Sequence, residues 1–281
     1  MKLFAKKSLG QHFLNSKHVL EQIITAGNIE SGETILEIGP GTGILTGALL
    51  MTGAKVIAVE KDVRAFNLIK EKFTTEIQSG QLKLISGDIL DKKLLAPSFK
   101  LPTPYVLIAN IPYYITGAIL EKFLEHAPRP NRMVLLVQKE VADRIVARPL
   151  QTTGRSKESI LSISVKVFGA PHFMAKVPPG AFTPPPTVDS AILSIDNISD
   201  HGFEAILAKN PDGISYFFKI VRAGFAHKRK LLKRNLESVV KKRELDEVWK
   251  KMNLNEKIRA EDLTPDEWLN IVKNLIYIPR L

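Results

Sequence analysis

The stretch Asn110-Ile111-Pro112-Tyr113 brings an amide, a proline and a flat aromatic ring to one point of the chain. It follows the apolar run Tyr105–Ala109, which has the composition of a buried strand in a parallel sheet. Such a strand delivers Asn110 to the carboxyl end of the sheet, where open α/β folds bind ligands. Pro112 has no N–H and biases the residue before it to an extended conformation, so nearby carbonyls are free to point outward. The stretch predicts an acceptor-rich pocket for a planar group that carries an NH2, such as adenine. The alternative is an ordinary strand-end turn with a tyrosine that packs.

A glycine-rich loop, residues 39–43, stands between a short β-rich run at 34–38 and a helical run at 44–51. Strand, glycine loop and helix in this order form the arrangement that cradles phosphates and nucleosides. The spacing Glu37-x-Gly39-x-Gly41-x-Gly43 is not the dinucleotide pattern G-x-G-x-x-G. It matches instead the loop of S-adenosylmethionine (SAM) enzymes, in which bare backbone approaches the ligand without a Cβ clash.

Three acidic residues stand at or near the ends of three successive predicted strands: Glu37, Glu60 and Asp88. Glu60 is placed to accept hydrogen bonds from ribose hydroxyls, and Asp88 is placed to accept one from the adenine amine of the cofactor. Each acid alone is weak evidence, because acids at strand ends are often helix caps. Together, and beside the glycine loop, they predict a SAM site.

Methyl transfer from SAM to an adenine amine needs positioning and polar groups more than acid–base catalysis. A sulfonium methyl is already activated, whereas the amine is a poor nucleophile because its lone pair is delocalised into the ring. Acceptors aimed at both amine hydrogens would favour a pyramidal nitrogen; the side chain of Asn110 and the carbonyl of Ile111 or Pro112 are the candidates. Tyr113 and Phe182 would sandwich the base, and stacking contributes roughly 1–3 kcal/mol per base. The alternative for Phe182 is a hydrophobe that packs its loop.

Strand and helix patterns alternate along the first half of the chain, which predicts a doubly wound α/β sheet. Two later strands, at 171–177 and 188–195, are joined by a proline-rich loop too short for a crossover helix, so we expect them to pair antiparallel. Helical periodicity dominates after a polar linker. We therefore expect a SAM-binding catalytic domain at 1–197 and a small helical RNA-binding domain at 198–281.

The 281-residue chain has a formal net charge of +11, which indicates a polyanionic partner such as nucleic acid. Five cations fall within residues 228–234, inside a segment (227–236) that the pattern predicts to be a helix; they are Lys228, Arg229, Lys230, Lys233 and Arg234. We expect this face to grip an RNA backbone without reading its sequence. The alternative is an ordinary solvated surface.

Several classes of function are excluded or disfavoured by composition. The chain has no cysteine, so it has neither disulfides nor a thiolate zinc site nor a cysteine nucleophile. Its six histidines are scattered without ligand spacing, so no metal site is expected. The basic start lacks an apolar segment typical of secretion, and we expect a cytoplasmic protein.

Motifs along the whole chain carry a resemblance to a known family. They are Lys7-Ser8-Leu9-Gly10-Gln11-His12-Phe13-Leu14, the glycine loop, Asn110-Ile111-Pro112-Tyr113-Tyr114-Ile115, Gln138-Lys139-Glu140-Val141-Ala142, Phe182-Thr183-Pro184-Pro185-Pro186-Thr187-Val188-Asp189-Ser190-Ala191 and Val221-Arg222-Ala223-Gly224-Phe225. With them the chain resembles the bacterial small-subunit rRNA adenine dimethyltransferases. These are class I SAM-dependent methyltransferases, with a mostly parallel Rossmann-like sheet whose last strand is antiparallel.

The resemblance implies dimethylation of two adjacent adenines near the 3′ end of 16S rRNA, a role in ribosome biogenesis, and a monomer that acts on the 30S subunit or its precursor. It places the cofactor against a set of residues that also includes the loop positions named above: His12, Leu14, Glu37, Gly39, Gly41, Glu60, Asp88 and Asn110. The target adenine is placed by Asn110, Tyr113 and Phe182. The chain departs from the family pattern at His12, where many relatives have Asn, and at Gly117-Ala118, where Ser-Pro is expected.

Three alternatives stay open at this point. The related 23S rRNA methylases of macrolide resistance share the Gly-Gln-x-Phe and Asn-x-Pro-Tyr pieces, although the triple-proline loop favours the small-subunit group. A DNA adenine methylase usually has proline where this chain has Ile111. A non-catalytic ribosome-assembly factor would keep the basic segment, but it would not need Glu37, Glu60 and Asn110.

Overall fold

The computed structural model describes residues 3–6, 9–91, 101–126, 128–147 and 157–278. The chain divides into two compact units, one formed by Met1–Ala142 and Pro171–Ile198 and the other by Asp143–Ala170 and Ser199–Leu281. The sequence predicted one boundary at 197/198, and the structure divides the chain next to it. Residues 143–170, which the sequence placed with the first domain, instead belong to the second unit. The predicted loop at 148–155 lies outside the described residues.

The first unit is built on β-strands. They are β1 Phe13–Leu14, β2 Thr34–Ile38, β3 Lys55–Glu60, β4 Leu82–Ser86, β5 Val106–Asn110, β6 Arg132–Gln138, β7 Ala170–Val177, β8 Phe182–Thr183 and β9 Ser190–Asp196. Seven of them form one sheet in the order β4-β3-β2-β5-β6-β9-β7, and β1 and β8 form a separate antiparallel pair. β2 to β6 run parallel, and β9 runs antiparallel to β6. The predicted mostly parallel sheet with an antiparallel strand near its edge is confirmed.

Helices cross between these strands and cover the sheet. They are α1 Lys17–Gly27, α2 Ile44–Met51, α3 Val63–Lys72, α4 Thr74–Gln78 and α5 Thr116–Leu120, which continues as the π-helical turn Glu121–Glu125. A further helix, α6 Lys139–Val146, begins in the first unit and ends in the second. The central strands are buried on both faces, which is why they read as continuous apolar runs in the sequence. Because β2, β3, β4 and β5 are parallel, their carboxyl ends meet at one edge of the sheet.

The second unit is helical. Its helices are α7 Ile160–Lys166, α8 Glu204–Leu207, α9 Gly213–Gly224, α10 Leu232–Leu236, α11 Lys242–Met252 and α12 Pro265–Tyr277. Phe168 stacks on Phe203 and Phe218, with ring centroids 5.1 and 6.1 Å apart, respectively. These contacts are the physical reason that the segment containing α7 belongs to this unit. Aromatic stacking of this kind adds to the free energy gained from burial alone.

The basic helix predicted across 227–236 is only partly helical. The structure has a turn over the first half of that segment, and α10 begins at Leu232. The buried side chain of Asn235 explains the turn, since its amide nitrogen donates to the carbonyl oxygens of Gly224 and His227 at 2.6 and 3.1 Å. An amide that pairs with free carbonyls after a helix end offers the backbone an alternative to helix continuation.

No helix in the described part of the chain is long and apolar enough to span a bilayer.

Candidate active site at the carboxyl edge of the sheet

A cavity of about 210 Å³ opens at the carboxyl edge of the sheet, within the first unit. Its walls come from residues 9–14, 37–42, 44–45, 59–62, 87–90 and 110–115. These segments are the stretch before α1, the glycine loop, the ends of β3 and β4, and the turn after β5. The parallel register of the strands brings them together from positions spread over more than a hundred residues.

The structure places all but one of the predicted cofactor and target-base residues on the wall of this cavity. They are His12, Leu14, Glu37, Gly39, Gly41, Glu60, Asp88, Asn110, Ile111, Pro112 and Tyr113. Phe182 is the exception. It is 3% exposed and lies opposite Leu14 in the β1-β8 pair, where both side chains join the core. The structure therefore does not place Phe182 on the cavity wall, and the sandwich of an adenine between Tyr113 and Phe182 stays a prediction.

The glycine loop is shaped as a cradle. Gly39 has φ +68°, and a Cβ built there would meet nothing within 4 Å, so any side chain would project into open space at the cavity wall. Gly41 donates its N–H to Glu60 Oε2 at 3.0 Å, and Asp62 donates its N–H to Oε1 at 2.8 Å. Glu60 thus braces the loop from the next strand, a role that the sequence analysis missed. Burial raises the pKa of Glu60 in spite of these donors.

Glu37 is the least compensated polar group at the site. Its side chain is 1% exposed, and neither carboxylate oxygen has a hydrogen-bond partner among the described residues. Burial raises the pKa of Glu37 to about 8, and the nearby Glu60 carboxylate adds to the shift. The Thr46 hydroxyl offsets part of it, although the two groups do not meet in hydrogen-bond geometry. A buried carboxyl without partners is costly, and such groups concentrate at functional sites.

Asn110 is oriented by the segment that precedes α1. Its amide nitrogen donates to the main-chain oxygen of His12 at 3.1 Å, which leaves the side-chain oxygen as an acceptor at the cavity wall. The carbonyl of Pro112 accepts the N–H of Ile115 at 3.1 Å within the 3-10 turn Tyr113–Ile115. Of the two carbonyls that the sequence left as candidates, Ile111 is therefore the one not used by this turn.

Tyr113 is held on two sides. Its hydroxyl lies 2.6 Å from Ser190 Oγ, and its ring stacks on the His12 imidazole with centroids 5.9 Å apart and planes at 20°. Burial raises the pKa of the Tyr113 hydroxyl. His12 Nδ1 lies 2.8 Å from the carbonyl oxygen of Pro184, and because a carbonyl can only accept, Nδ1 carries the hydrogen. Ser190 was not singled out from the sequence, although it stands in the motif that also contains Phe182.

Asp88 lies at the rim of the cavity. Its Oδ2 lies 2.8 Å from the Lys61 ammonium, and its Oδ1 accepts the N–H of Leu90 at 2.9 Å. Burial alone would raise the pKa of Asp88, but Lys61 and the Leu90 N–H outweigh it and lower the pKa.

The cations predicted to bind RNA lie in the second unit, and four of the five are exposed: Lys228, Arg229, Lys230 and Arg234. Lys233 differs from the prediction. Its side chain is 17% exposed and its ammonium pairs with Asp246 and Glu256, each at 2.9 Å. A cation neutralised by two carboxylates has little charge left for a phosphate, so Lys233 supports the fold of this unit instead.

Comparison with known proteins agrees with this site. A sequence profile described as ribosomal RNA adenine dimethylase matches residues 3–276. The chain belongs to this family. The Rossmann-like sheet and the glycine loop agree with this assignment.

Relatives within the family match almost the whole chain. The ribosomal RNA small subunit methyltransferase A of Dehalococcoides mccartyi strain BAV1 is 39% identical over 271 residues, which cover 95% of this chain and 87% of the relative. The protein of the same description from Trichormus variabilis is 36% identical over 278 residues, covering 96% and 97% of the two chains.

Two solved structures are similar to this dimethylase. A dimethyladenosine transferase from Plasmodium falciparum superposes with a TM-score of 0.73 at 27% identity, covering 92% of this chain and 96% of the other. The 23S rRNA methyltransferase ErmE gives a TM-score of 0.67 at 22% identity, covering 94% and 99%. At that identity the likeness to ErmE shows the fold alone.

We predict that the stability of the ligand-free dimethylase depends on pH through Glu37. The folded-state pKa of about 8 lies above the ordinary value of 4.5, so over this range the folded protein holds a proton that the unfolded chain releases. The contribution of Glu37 to the free energy of unfolding is therefore complete below pH 4.5, and it is lost as the pH rises through the folded-state pKa of about 8. Glu37→Gln should flatten this fall, measured by urea unfolding between about pH 5 and 8. Glu71→Gln, at an exposed glutamate of α3, is the control. An equal fall in wild type and Glu37→Gln would contradict the assignment.

Proposed function

We propose that this dimethylase transfers methyl groups from SAM to the N6 amines of two adjacent adenines near the 3′ end of 16S rRNA, in the small ribosomal subunit or its precursor. The observation that carries the proposal is the oriented Asn110 amide, whose acceptor oxygen shares one cavity with the glycine loop. Identity of 36–39% to small-subunit relatives over 95–96% of the chain supports the choice of rRNA. A monomeric, cytoplasmic enzyme with a part in ribosome biogenesis is included in the proposal.

The residues at the cavity fit SAM. Gly39 leaves backbone open to a ligand, and the buried Glu37 carboxyl has no partner among the described residues, so a bound cationic or hydrogen-bonding group would compensate it. His12, Leu14 and Gly41 contribute to the same wall, and Glu60 and Asp88 would accept from the ribose and the adenine amine. When bound, SAM supplies an activated methyl group. The protein's part is to hold it beside the incoming base.

Positioning of the target amine falls to the turn after β5. The Asn110 side-chain oxygen and the Ile111 carbonyl would accept its two hydrogens, which keeps the nitrogen lone pair available for the methyl group. The Tyr113 ring would stack on the adenine, and its two-sided support by Ser190 and His12 reduces the entropy lost on binding. No side chain is required to remove a proton before the transfer. The methylated nitrogen carries the positive charge and then releases its proton to water, which agrees with a site built from acceptors.

The 23S alternative has less support. The likeness to ErmE extends to the fold, whereas the small-subunit relatives match in sequence from end to end. A non-catalytic assembly factor would have no use for a buried Glu37 that lacks a partner among the described residues, since that group costs stability without a ligand.

The proposed substrate is tested with labelled SAM and two RNA substrates. Purified protein should methylate 30S particles that lack these modifications, and nucleoside analysis should show N6,N6-dimethyladenosine. Naked 23S RNA should accept little label under the same conditions. Label confined to 23S RNA, or absent from both substrates, would contradict the proposal.

Asn110→Ala should lower turnover by about 100-fold or more, because it removes a preorganised polar contact to the reacting amine. Affinity for SAM, measured by calorimetry, should change much less. Glu60→Ala should give the opposite result, with weaker SAM binding, because it removes both the hydrogen bond that holds Gly41 and the proposed ribose acceptor. Near-normal turnover of Asn110→Ala would refute the positioning role.

Charge reversal at Lys228, Arg229 and Lys230 should weaken RNA binding and reduce its dependence on salt by about 2–3 in the log–log slope, since each phosphate contact releases counterions. The control reverses three exposed lysines of the same unit, Lys250, Lys251 and Lys257, for an equal change in net charge. If both triple variants lose the same slope, the effect reflects total charge and the proposed patch has no special role.

A further inference from the structure

Tyr114 is an exposed aromatic at the mouth of the cavity. Its side chain is 67% exposed, yet the residue contributes to the cavity wall. It follows Tyr113 in the 3-10 turn Tyr113–Ile115, where successive side chains point about 120° apart. Tyr113 is therefore turned toward Ser190 and His12, while Tyr114 is left facing solvent. Large exposed aromatics beside a binding cavity are more informative than single hydrophobes elsewhere on a surface.

The ring of Tyr114 is supported from behind. A Cβ at Gly10 would lie 3.2 and 3.3 Å from two carbons of the Tyr114 ring and 3.6 Å from Pro112 Cβ. Because residue 10 is a glycine with φ +58°, the ring can rest against its backbone. A side chain there would push the ring aside. A ring held in this way loses less conformational entropy when a partner stacks on its open part.

A cation accompanies this ring. Lys61 is more than half exposed and lines the same cavity as Tyr114, and its ammonium pairs with Asp88. Exposed aromatics with a nearby cation are typical of surfaces that bind single-stranded nucleic acid, where the ring stacks on a base and the cation attracts the backbone. A protein partner would not require both features at the edge of a base-sized cavity.

We propose that Tyr114 stacks on the base next to the adenine that occupies the cavity. The inference rests on the proposed function. When one nucleotide is extruded into the cavity, the continuous RNA backbone carries its neighbour across the rim. If the two target adenines are adjacent, that neighbour is one of them, so the Tyr114 ring would hold one adenine while the other is methylated. Tyr114 would then favour RNA in which the base next to the target adenine is unpaired and able to stack.

The test uses an RNA hairpin with two adjacent adenines in its loop, in which one of them is replaced by fluorescent 2-aminopurine. Binding to the wild-type protein should quench the fluorescence of this base through stacking. Tyr114→Phe should retain the quenching, because the ring is kept. Tyr114→Ala and Tyr114→Leu should lose it, and the leucine variant separates ring stacking from apolar contact area. Circular dichroism and thermal unfolding check that each variant is folded.

Kinetics on undermethylated 30S particles provide a second readout. Tyr114→Ala and Tyr114→Leu should raise KM by about 5- to 150-fold, the equivalent of one lost stacking contact, with a smaller effect on kcat. Equal quenching by wild type and Tyr114→Ala, or no quenching by wild type, would overturn the inference. So would a KM effect on particles without any loss of quenching on the hairpin, since the ring would then contact a ribosomal protein.

Failure of wild type to methylate 30S particles would instead refute the proposed function, and the hairpin titration does not depend on that result.

Discussion

The hydrogen bond from the Asn110 amide to the main-chain oxygen of His12 is the interaction on which the site depends. It orients the amide, so that the oxygen rather than the nitrogen is left as the acceptor for the proposed substrate amine. It also ties the segment before α1 to the end of β5, and that segment forms one wall of the cavity. The same segment pairs with β8, and His12 reaches the Pro184 carbonyl. These three contacts together connect the acceptor, the cavity wall and the proline-rich loop.

The acidic groups around the cavity show a balance between stability and binding. Glu60 is buried but accepts two main-chain N–H groups, so its charge has partners and the glycine loop gains a brace. Glu37 is buried without such partners in the described part of the chain. An environment of this kind is unfavourable in the empty protein and favourable once a complementary ligand arrives, because the polar group needs no reorganisation.

Recognition of RNA is divided, in our proposals, between two kinds of contact. The exposed cations at 228–230 would supply affinity that depends on salt and not on sequence. Tyr113 and Tyr114 would supply stacking, which requires unpaired bases and so selects the structure of the RNA. The structure also shows why the number of basic residues in a run does not give the number of phosphate contacts, since Lys233 within this run is neutralised by two carboxylates.

The sequence by itself determined the sheet and the positions that surround the cavity. The apolar runs that end at Glu60 and Asn110 encode buried parallel strands, and residues at the carboxyl ends of such strands meet wherever the chain follows this topology. Tertiary structure alone decided what each side chain does there. Tyr113 contacts Ser190, which is 77 residues away in the sequence, and Asn110 contacts His12, which is 98 residues away. No local sequence pattern predicts either contact. Phe182 pairs with Leu14 across β1 and β8 and joins the core, and Asn235 stabilises a turn in place of the first half of the predicted basic helix through the carbonyls of residues 224 and 227. Local patterns record which face of an element is buried, but they do not record which distant partner covers it.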